Sequence, residues 1–474
     1  MIIPRESYSR WLDEFREKKV IKVLTGLRRS GKSTILELYQ QRMRDQGVPS
    51  DSIVSLNFER FEHEELLDPH RLHAFILGKM ISGKVLYVFL DEIQHVKDYE
   101  KVVDSLYARE GIDLYITGST ADLLSSEIAT RLTGRFVEIN VLPLSFRESV
   151  FGREVSETNQ KKLFMDYLTY GGLPGAREFV NGSSAQREYV EGVFRTIIEK
   201  DVLKRTGKGR FVVDRIIRYL TDTVGSLTSP KRLSDRMDDE KRTKDEKSAA
   251  YNTVVSYLER LTDCFFVYKA PRYDVCGGEN LKLVNKYYLT DFGFKYYILN
   301  NPTVELQQLV ENVVYFELLH RRYKVSTGKV DDKEVDFMIQ GNDGRIRYVQ
   351  VAVTIADPDK LAQELAVAVI ERKRLQRQMR RPIVGNDLID TSHTAMPDFT
   401  ANAIAANPIS RGERHIWCSY PTIHFPTIGI LRMKMLATDE TANDPAAMPA
   451  MATGAGTVPF RCSARITRTM MCMR

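Results

Sequence analysis

An eight-residue segment near the amino terminus, Gly26 to Ser33 (GLRRSGKS), constrains the fold of this 474-residue chain more than any other feature. It matches the pattern G-x-x-x-x-G-K-[S/T] and lies between an apolar, β-branched run at 20–25 and a breaker-free stretch with helical spacing at 33–42. Such a loop turns backbone N–H groups toward a phosphate chain at the positive end of the following helix. The pattern therefore predicts an α/β domain that binds a nucleotide, rather than a glycine-rich turn with an unrelated lysine.

The loop also predicts which residues contact the cofactors, ATP and Mg²⁺. Lys32 is expected to reach the terminal phosphates, and Ser33 is expected to offer its hydroxyl to the metal. The residues expected to bind the nucleotide are Gly26, Leu27, Arg28, Arg29, Ser30, Gly31, Lys32, Ser33 and Thr34.

A second motif supplies two adjacent carboxylates. The apolar run at 85–90 ends in Asp91 and Glu92. Two acids at the end of a strand can simply face solvent where the strand ends. Together with the upstream loop, however, they indicate a catalytic pair. Asp91 is expected to hold the metal with Ser33, and Glu92 is expected to polarise the attacking water.

Three further apolar runs, at 52–58, 112–119 and 134–141, complete a set of five strands separated by helical stretches. This alternation predicts a parallel sheet wound on both faces. One of these strands lies between the loop and the acids, and in this arrangement the chain resembles the AAA superfamily of ATPases.

That resemblance implies two more contacts with the transferred phosphate. Ser119 or Thr120 falls at the place of the polar sensor residue. Arg131 or Arg135 falls where relatives place an arginine that neutralises the transferring phosphoryl group, and we assign this role to Arg135. Arg28 and Arg29 are the alternatives within the loop.

Several later motifs strengthen the resemblance because they keep their order. After the phosphate loop come FLDEIQ, ITGS, LTGR, YGGLP and EKDV. Together they resemble a widespread bacterial and archaeal ATPase family that joins an AAA-type domain to an uncharacterised C-terminal domain of nuclease-like fold. The likeness covers residues 1 to about 365.

The predicted fold class is α/β, beginning with a phosphate-loop NTPase sheet wound on both faces. A helical lid, a winged-helix module and a degenerate restriction-endonuclease-like α/β domain are expected to follow. The predicted domains are an ATPase core at 1–150, the lid at 151–225, the winged helix at 226–300, the nuclease-like domain at 301–366 and an atypical tail at 367–474.

The winged-helix prediction rests on two helical segments, 230–237 and 249–261, followed by two strands, 264–269 and 281–289, around a glycine-containing turn. Such modules bind duplex DNA or serve as protein-interaction and lid elements, and both readings stay open. In a DNA complex, the residues expected to contact base edges are Asn252, Thr253, Ser256 and Tyr257, and those expected to contact phosphates are Arg260 and Lys282.

The nuclease-like prediction rests on a helix at 310–318 and strands at 333–339 and 347–353. Glu311 and Asp336 occupy two of the acidic positions of a metal-dependent nuclease. Where such enzymes carry Glu-x-Lys, this chain has Gln350, Val351 and Ala352. A neutral amide is a poor magnesium ligand and alanine cannot activate water, so nuclease activity is not expected.

Charge and cysteine content argue against a generally basic nucleic-acid-binding protein, a zinc protein and a disulfide-rich protein. Of 69 Lys and Arg and 63 Asp and Glu, 14 and 8 lie from Glu371 onward, so residues 1–370 carry no net charge and no general attraction for nucleic acid. The five cysteines lack paired C-x-x-C spacing, which argues against a zinc site and a disulfide framework. Without an apolar run of about 20 residues, a cytoplasmic protein with no membrane partner is expected.

The tail differs abruptly from the rest of the chain. Nine of the chain's 15 methionines lie after residue 370, and arginine is more frequent there than lysine. The segment 438–458 offers little apolar surface to bury and is expected to be disordered. A natural extension and an out-of-frame C-terminus both explain this composition, and the abrupt change favours the second.

These observations predict an ATPase that hydrolyses ATP with Mg²⁺ and couples nucleotide state to its C-terminal modules. The alternative is a nucleotide-gated switch that binds DNA or protein with negligible turnover; a kinase is a weaker third possibility. Duplex DNA and a protein are the possible macromolecular partners, and an arginine supplied by a neighbouring subunit would require an oligomer.

Overall fold

The computed structural model describes residues 2–118, 134–156, 158–203, 209–239, 251–274, 279–299, 306–330, 333–351 and 436–437. The chain divides into two compact units, one comprising Met1–Lys269 with Tyr287–Val304 and the other Ala270–Lys286 with Glu305–Arg474.

The described α-helices are α1 (Glu6–Phe15), α2 (Lys32–Asp45), α3 (Pro69–Leu77), α4 (Tyr99–Tyr107), α5 (Phe146–Ser149), α6 (Gln160–Tyr170), α7 (Ser184–Thr196), α8 (Arg210–Asp222), α9 (Pro230–Asp239), α10 (Tyr251–Asp263), α11 (Phe292–Leu299) and α12 (Leu306–His320). The strands are β1 (Ile21–Thr25), β2 (Ile53–Asn57), β3 (Leu86–Asp91), β4 (Ile112–Thr117), β5 (Phe136–Asn140), β6 (Leu227–Thr228), β7 (Val267–Asp274), β8 (Glu279–Leu289), β9 (Lys324–Val330), β10 (Lys333–Gln340), β11 (Ile346–Val349) and β12 (Leu436–Ala437). A π-helical segment, Ile197–Val202, directly continues α7.

The first unit contains the predicted parallel sheet. Its strand order is β2-β3-β4-β1-β5, and each neighbouring pair is parallel. All five strands lie where the sequence pattern predicts them, and β1 and β3 are buried along their whole length. Strands buried on both faces read as continuous apolar runs, which is why they were recognisable.

Helices cover both faces of this sheet, as predicted. On one face, Leu56, Val88 and Leu114 share an apolar cluster with residues of α3 and α4. On the other face, Phe89 and Tyr115 share a cluster with residues of α1 and α2. The strands alternate their side chains between these two clusters, so the sheet has a core on each side.

Local signals set the start of two helices. Asp68 accepts a hydrogen bond from the Arg71 N–H, and Pro69 is the first residue of α3. Ser145 and Glu148 form a reciprocal capping box at α5. Such contacts satisfy N–H groups that have no partner within the first helical turn.

One charged pair lies inside the sheet. Lys22 in β1 is fully buried and forms an ion pair with Asp113 at the start of β4, which is 3% exposed. The Asp113 carboxylate also accepts hydrogen bonds from the Tyr115 hydroxyl and from the Glu17 N–H, each at 2.9 Å. These extra donors offset part of the cost of removing the carboxylate from water.

In the second unit, β10 pairs antiparallel with both β9 and β11, and β9 pairs parallel with β7. The strands β7 and β8 were predicted as the ribbon of a winged helix. They are neighbours, as in such a ribbon, and the sheet continues beyond β7 in the order β8-β7-β9-β10-β11. None of the described helices is long and apolar enough to cross a membrane.

We expect Asp113→Ala to lower the free energy of unfolding of the first unit by about 3–5 kcal/mol, because it leaves the buried Lys22 ammonium without its anion. Urea denaturation followed by circular dichroism would measure the change. Glu191→Ala, which removes one half of an exposed pair with Arg187, is the control and should cost less than about 1 kcal/mol.

The double variant Lys22→Met with Asp113→Leu should recover part of the loss, because no charge then remains buried. Equal destabilisation by Asp113→Ala and Glu191→Ala would show that the buried pair does not support the sheet.

Candidate nucleotide-binding site

The segment Gly26–Gly31 connects the carboxyl end of β1 to the first turn of α2. Gly26 has a φ of +135°, and a Cβ atom there would lie 2.3 Å from the carbonyl oxygen of Val141. Only glycine fits this position, both for its backbone conformation and for the space beside Val141. Gly31, with a φ of +99°, precedes the N-terminus of α2. The loop is therefore shaped to place main-chain N–H groups at the positive end of a helix.

Lys32 is a buried cation whose hydrogen-bond partners are neutral. Its ammonium donates to the carbonyl oxygens of Gly26 at 3.1 Å and Leu27 at 3.2 Å. Within the described residues, no carboxylate lies within ion-pair distance of it. Burial lowers the pKa of Lys32, while Glu92 and, to a smaller extent, Asp91 act to raise it. A phosphate group would supply the missing negative charge.

Ser30 gives a second sign that the loop fits a polar ligand. Its hydroxyl is buried and has no hydrogen-bond partner within the described part of the chain. Unsatisfied polar groups are rare inside proteins and often mark functional sites. Together with the cradle at Gly26 and the cation at Lys32, this hydroxyl supports a phosphate site in the loop.

The carboxyl ends of β2, β3 and β4 meet around Asp91. Its carboxylate accepts hydrogen bonds from Asn57 Nδ2 at 2.7 Å and from Thr117 Oγ1 at 2.5 Å. Burial raises the pKa of Asp91, opposed by hydrogen bonds from Thr117 and Ser33. Because Ser33 is near enough to act on the Asp91 carboxylate, the two predicted metal ligands lie close together and fit a Mg²⁺ ion.

Glu92 follows β3 in a left-handed conformation, with a φ of 55°, that a non-glycine residue seldom adopts. Its N–H donates to Thr117 Oγ1 at 3.1 Å, and its Oε2 accepts from Gln94 Nε2 at 2.5 Å. Thr117 thus holds both acids, Asp91 through its hydroxyl hydrogen and Glu92 through its oxygen. Glu59, Glu92 and His95 also bring ligand atoms within 4.8 Å of one another, but Glu59 and His95 are exposed.

The residues predicted as the polar sensor and as the charge-neutralising arginine are not among the described residues of this site. Ser119, Thr120 and Arg131 lie outside the described residues. Arg135 precedes β5 beside Ile21, the first residue of β1, whereas the phosphate loop follows the last residue of that strand. Arg135 forms an ion pair with Asp104 at that opposite edge of the sheet.

The loop arginines face different surroundings. Arg29 is exposed, whereas Arg28 is largely buried and forms two hydrogen bonds with the carboxylate of Asp201. Thr34, on the first turn of α2, is exposed. Among the described arginines of the predicted site, Arg28 is therefore the one that is largely buried and paired.

Sequence reasoning missed several supporting residues. Arg5 is 5% exposed and donates to the carbonyl oxygens of Ser30, Leu142 and Pro143 and to the carboxylate of Glu148. It ties the back of the phosphate loop to the segment after β5. Asn57 and Thr117 had a usable signal, since each is a polar residue that ends an apolar strand. Arg5 had none.

In the second unit the two predicted nuclease acids do come together. Glu311 on α12 and Asp336 on β10 both face the ammonium of Lys286, at 2.9 and 3.9 Å, and Glu334 lies 2.6 Å from it. Burial acts to lower the pKa of Lys286, but the carboxylates outweigh it and raise that pKa. Burial, and then the Glu311 carboxylate, raise the pKa of Asp336 to about 7. A lysine from β8, not considered from the sequence, thus neutralises this cluster.

Gln350 and Val351 also contact Asp336. The Asp336 N–H donates to Gln350 Oε1 at 3.3 Å, and the Val351 N–H donates to Asp336 Oδ2 at 2.7 Å. Ala352 lies outside the described residues.

The residues predicted to contact DNA are only partly accessible. Tyr257 was expected at base edges, but it is 4% exposed within the packing of α10, so this assignment is wrong. Arg260 donates to the carbonyl oxygen of Val202 at 3.1 Å. Asn252 is exposed, Thr253 and Ser256 are half-buried, and the side chain of Lys282 lies outside the described residues.

We expect Thr117→Val to lower the affinity for ATP in the presence of Mg²⁺ by about 10–100-fold, because valine keeps the shape of threonine but loses the hydroxyl that orients Asp91 and Glu92. Titration of a fluorescent ATP analogue, with Mg²⁺ and with a chelator, would measure this. Thr117→Ser retains the hydroxyl and is the matched control. Equal affinities for all three proteins would remove Thr117 from the site.

Two family models match parts of the chain. A family model described as an AAA domain matches residues 18–150, and a model described as a domain of unknown function matches residues 161–305. The Walker-type ATPase of Pyrococcus abyssi aligns with 63% of this chain and 96% of its own, at 17% sequence identity and a TM-score of 0.43.

Two relatives span most of the chain. An uncharacterised protein of Methanocaldococcus jannaschii is 24% identical over 364 residues, which are 72% of this chain and 76% of that protein. An uncharacterised protein of Haemophilus influenzae is 36% identical over 360 residues, which are 75% of this chain and 88% of that protein. With this relative, and with an AAA domain that contains the phosphate loop and the paired acids, the chain belongs to a family of AAA-type ATPases.

Proposed function

We propose that this protein binds ATP with Mg²⁺ and hydrolyses it, and that it couples its nucleotide state to its C-terminal modules. The observation that carries the proposal is the convergence of a buried, anion-deficient Lys32 with Asp91 and Glu92 at one edge of the sheet. A cation beside two carboxylates, next to a loop of N–H donors, suits a triphosphate and its metal.

Each residue has a separate task in this proposal. Lys32 exchanges its two carbonyl acceptors for phosphate oxygens, and the loop N–H groups bind the remaining oxygens. Ser33 and Asp91 hold Mg²⁺, which when bound neutralises charge on the phosphates. Asn57 and Thr117 fix the Asp91 carboxylate so that it cannot rotate away from Ser33.

Glu92 is the proposed general base. It accepts a proton from the water whose oxygen attacks the terminal phosphorus, and ADP is the leaving group. The left-handed conformation of Glu92 ends the extended backbone of β3, and the hydrogen bond from its N–H to Thr117 holds it there. Such strain is retained where the surrounding structure requires a particular side-chain position.

One observation favours the second candidate function, a nucleotide-gated switch with negligible turnover. The amide of Gln94 donates to Oε2 of Glu92. A hydrogen bond to the charged form of a carboxylate makes it a weaker base. A protein that holds Glu92 in this way would use ATP mainly as a ligand, and its partner would be duplex DNA or another protein.

We expect Glu92→Gln to bind ATP within about threefold of wild type but to lose about 10²–10⁴-fold in hydrolysis rate, because the amide cannot take the proton. Phosphate release would measure turnover, and a fluorescent ATP analogue would measure binding. Glu110→Gln, at an exposed site before β4, is the matched control.

Lys32→Ala should abolish both binding and hydrolysis, since the pocket then lacks its buried cation. If wild type and Glu92→Gln release phosphate at the same negligible rate while both bind ATP, the hydrolytic proposal fails and the switch is favoured. ATP binding that survives Lys32→Ala unchanged would contradict both.

We also expect no cleavage of plasmid or branched DNA with Mg²⁺ or Mn²⁺. The Lys286 ammonium is held by Glu311 and Glu334, so a metal ion would have to displace it from its own carboxylates. Gel electrophoresis of DNA incubated with the full chain would test this. Cleavage that disappears in the Asp336→Ala variant would contradict the expectation.

A further inference from the structure

Arg28 joins the phosphate loop to a part of the first unit that is distant in sequence. Its Nε donates to Asp201 Oδ2 at 3.2 Å and its Nη2 donates to Asp201 Oδ1 at 3.0 Å. The Asp201 side chain is 6% exposed and that of Arg28 is 17% exposed. A paired guanidinium and carboxylate in this geometry is among the stronger polar contacts in proteins, particularly when water is excluded.

Asp201 belongs to an unusual element. It lies in the π-helical segment Ile197–Val202, where the α-helical hydrogen bonding of α7 gives way to a wider turn. Single π-helical turns are uncommon and are often retained at functional sites. Ile197, Ile198 and Val202 of this segment are fully buried. The ion pair therefore joins the phosphate loop to a packed element that is remote in sequence.

The pair lies among the groups that would face the terminal phosphate. Burial raises the pKa of Asp201, and Arg28 and Lys32 act in the opposite direction. The Arg28 guanidinium also interacts electrostatically with Glu92, and its Nη1 lies 3.8 Å from Glu59. A terminal phosphate beside Lys32 and Glu92 would attract Arg28 and repel the Asp201 carboxylate.

The other arginines considered for this role are less well placed. Arg29 is exposed, and Arg135 is paired with Asp104 at the opposite edge of the sheet. The Arg28 guanidinium is largely buried, and two of its N–H groups already bind a carboxylate. Phosphate oxygens match that fork as well as a carboxylate does, and they carry more charge.

We propose that Arg28 senses the terminal phosphate of the bound nucleotide by exchanging the Asp201 carboxylate for phosphate oxygens. The exchange releases the segment Ile197–Val202 from the phosphate loop. This inference rests on the proposed function, because it requires ATP in the loop, and it adds the route by which nucleotide state leaves the site. ADP lacks the terminal phosphate and leaves the Arg28–Asp201 pair intact.

The proposal predicts opposite effects on the ratio of ATP to ADP affinity when Asp201 or Arg28 is replaced. Asp201→Asn frees Arg28 from its competing anion and should raise ATP affinity about tenfold relative to ADP affinity, since a charge-assisted contact no longer has to be broken. Arg28→Lys keeps the positive charge but loses the fork, and should lower the preference for ATP over ADP by about tenfold. A purely structural pair predicts that both substitutions weaken or leave unchanged the binding of both nucleotides.

Two measurements on the full chain test this. Competition against a fluorescent nucleotide gives the ratio of ATP to ADP affinity for wild type, Asp201→Asn and Arg28→Lys. Hydrogen exchange, followed by mass spectrometry in the Glu92→Gln background that preserves bound ATP, reports on the peptide covering 197–202. Asp51→Asn, which removes the carboxylate of an exposed pair with Lys84, is the matched control.

We expect exchange in 197–202 to accelerate about tenfold with ATP and not with ADP, and to be fast with either nucleotide once Asp201→Asn is introduced. The same exchange with ATP and ADP, or an unchanged affinity ratio in Asp201→Asn, would overturn the sensing role while leaving the ATPase intact. Absence of any ATP binding by wild type would overturn the proposed function and this inference together.

Discussion

The parallel pairing of β1 with β4 and of β4 with β3 is the constraint on which the candidate site depends. In a parallel sheet every strand ends at the same edge, so residues that follow different strands become neighbours. This pairing sets the phosphate loop after β1 beside Asp91 at the end of β3 and Thr117 at the end of β4. Thr117 then bridges the paired acids through a single hydroxyl.

Charge burial organises the rest of the first unit around that edge. Lys22 and Asp113 neutralise each other inside the sheet, so this buried charge is paired and hydrogen-bonded. Arg5 is likewise saturated by carbonyl groups and by Glu148. Lys32 differs because its partners are neutral carbonyl oxygens. The contrast separates structural buried charges from one that is suited to an anionic ligand.

Much of the first unit was predictable because its signals are local. The five strands are rich in apolar residues, with β1 and β3 buried throughout, and the loop pattern needs glycine at Gly26, where a Cβ atom would collide with Val141. Asp91 and Glu92 were recognisable because they end an apolar strand downstream of the phosphate loop. In contrast, β7 and β8 read locally as a ribbon, but their edge pairs with a strand much later in the chain. No local pattern specifies that partner.

The phosphate loop, the acids that follow β3 and the positions of the five parallel strands could be predicted from the sequence, because each is encoded by adjacent residues or by a short period. Three contacts could be found only in the folded chain: Asp201 binds Arg28, Arg5 supports the loop, and Lys286 neutralises Glu311 and Asp336. The tertiary structure also shows that Arg135 lies at the far edge of the sheet and that Tyr257 is buried. Such contacts join residues distant in the chain, and they follow from how packed elements align rather than from any spacing in the sequence.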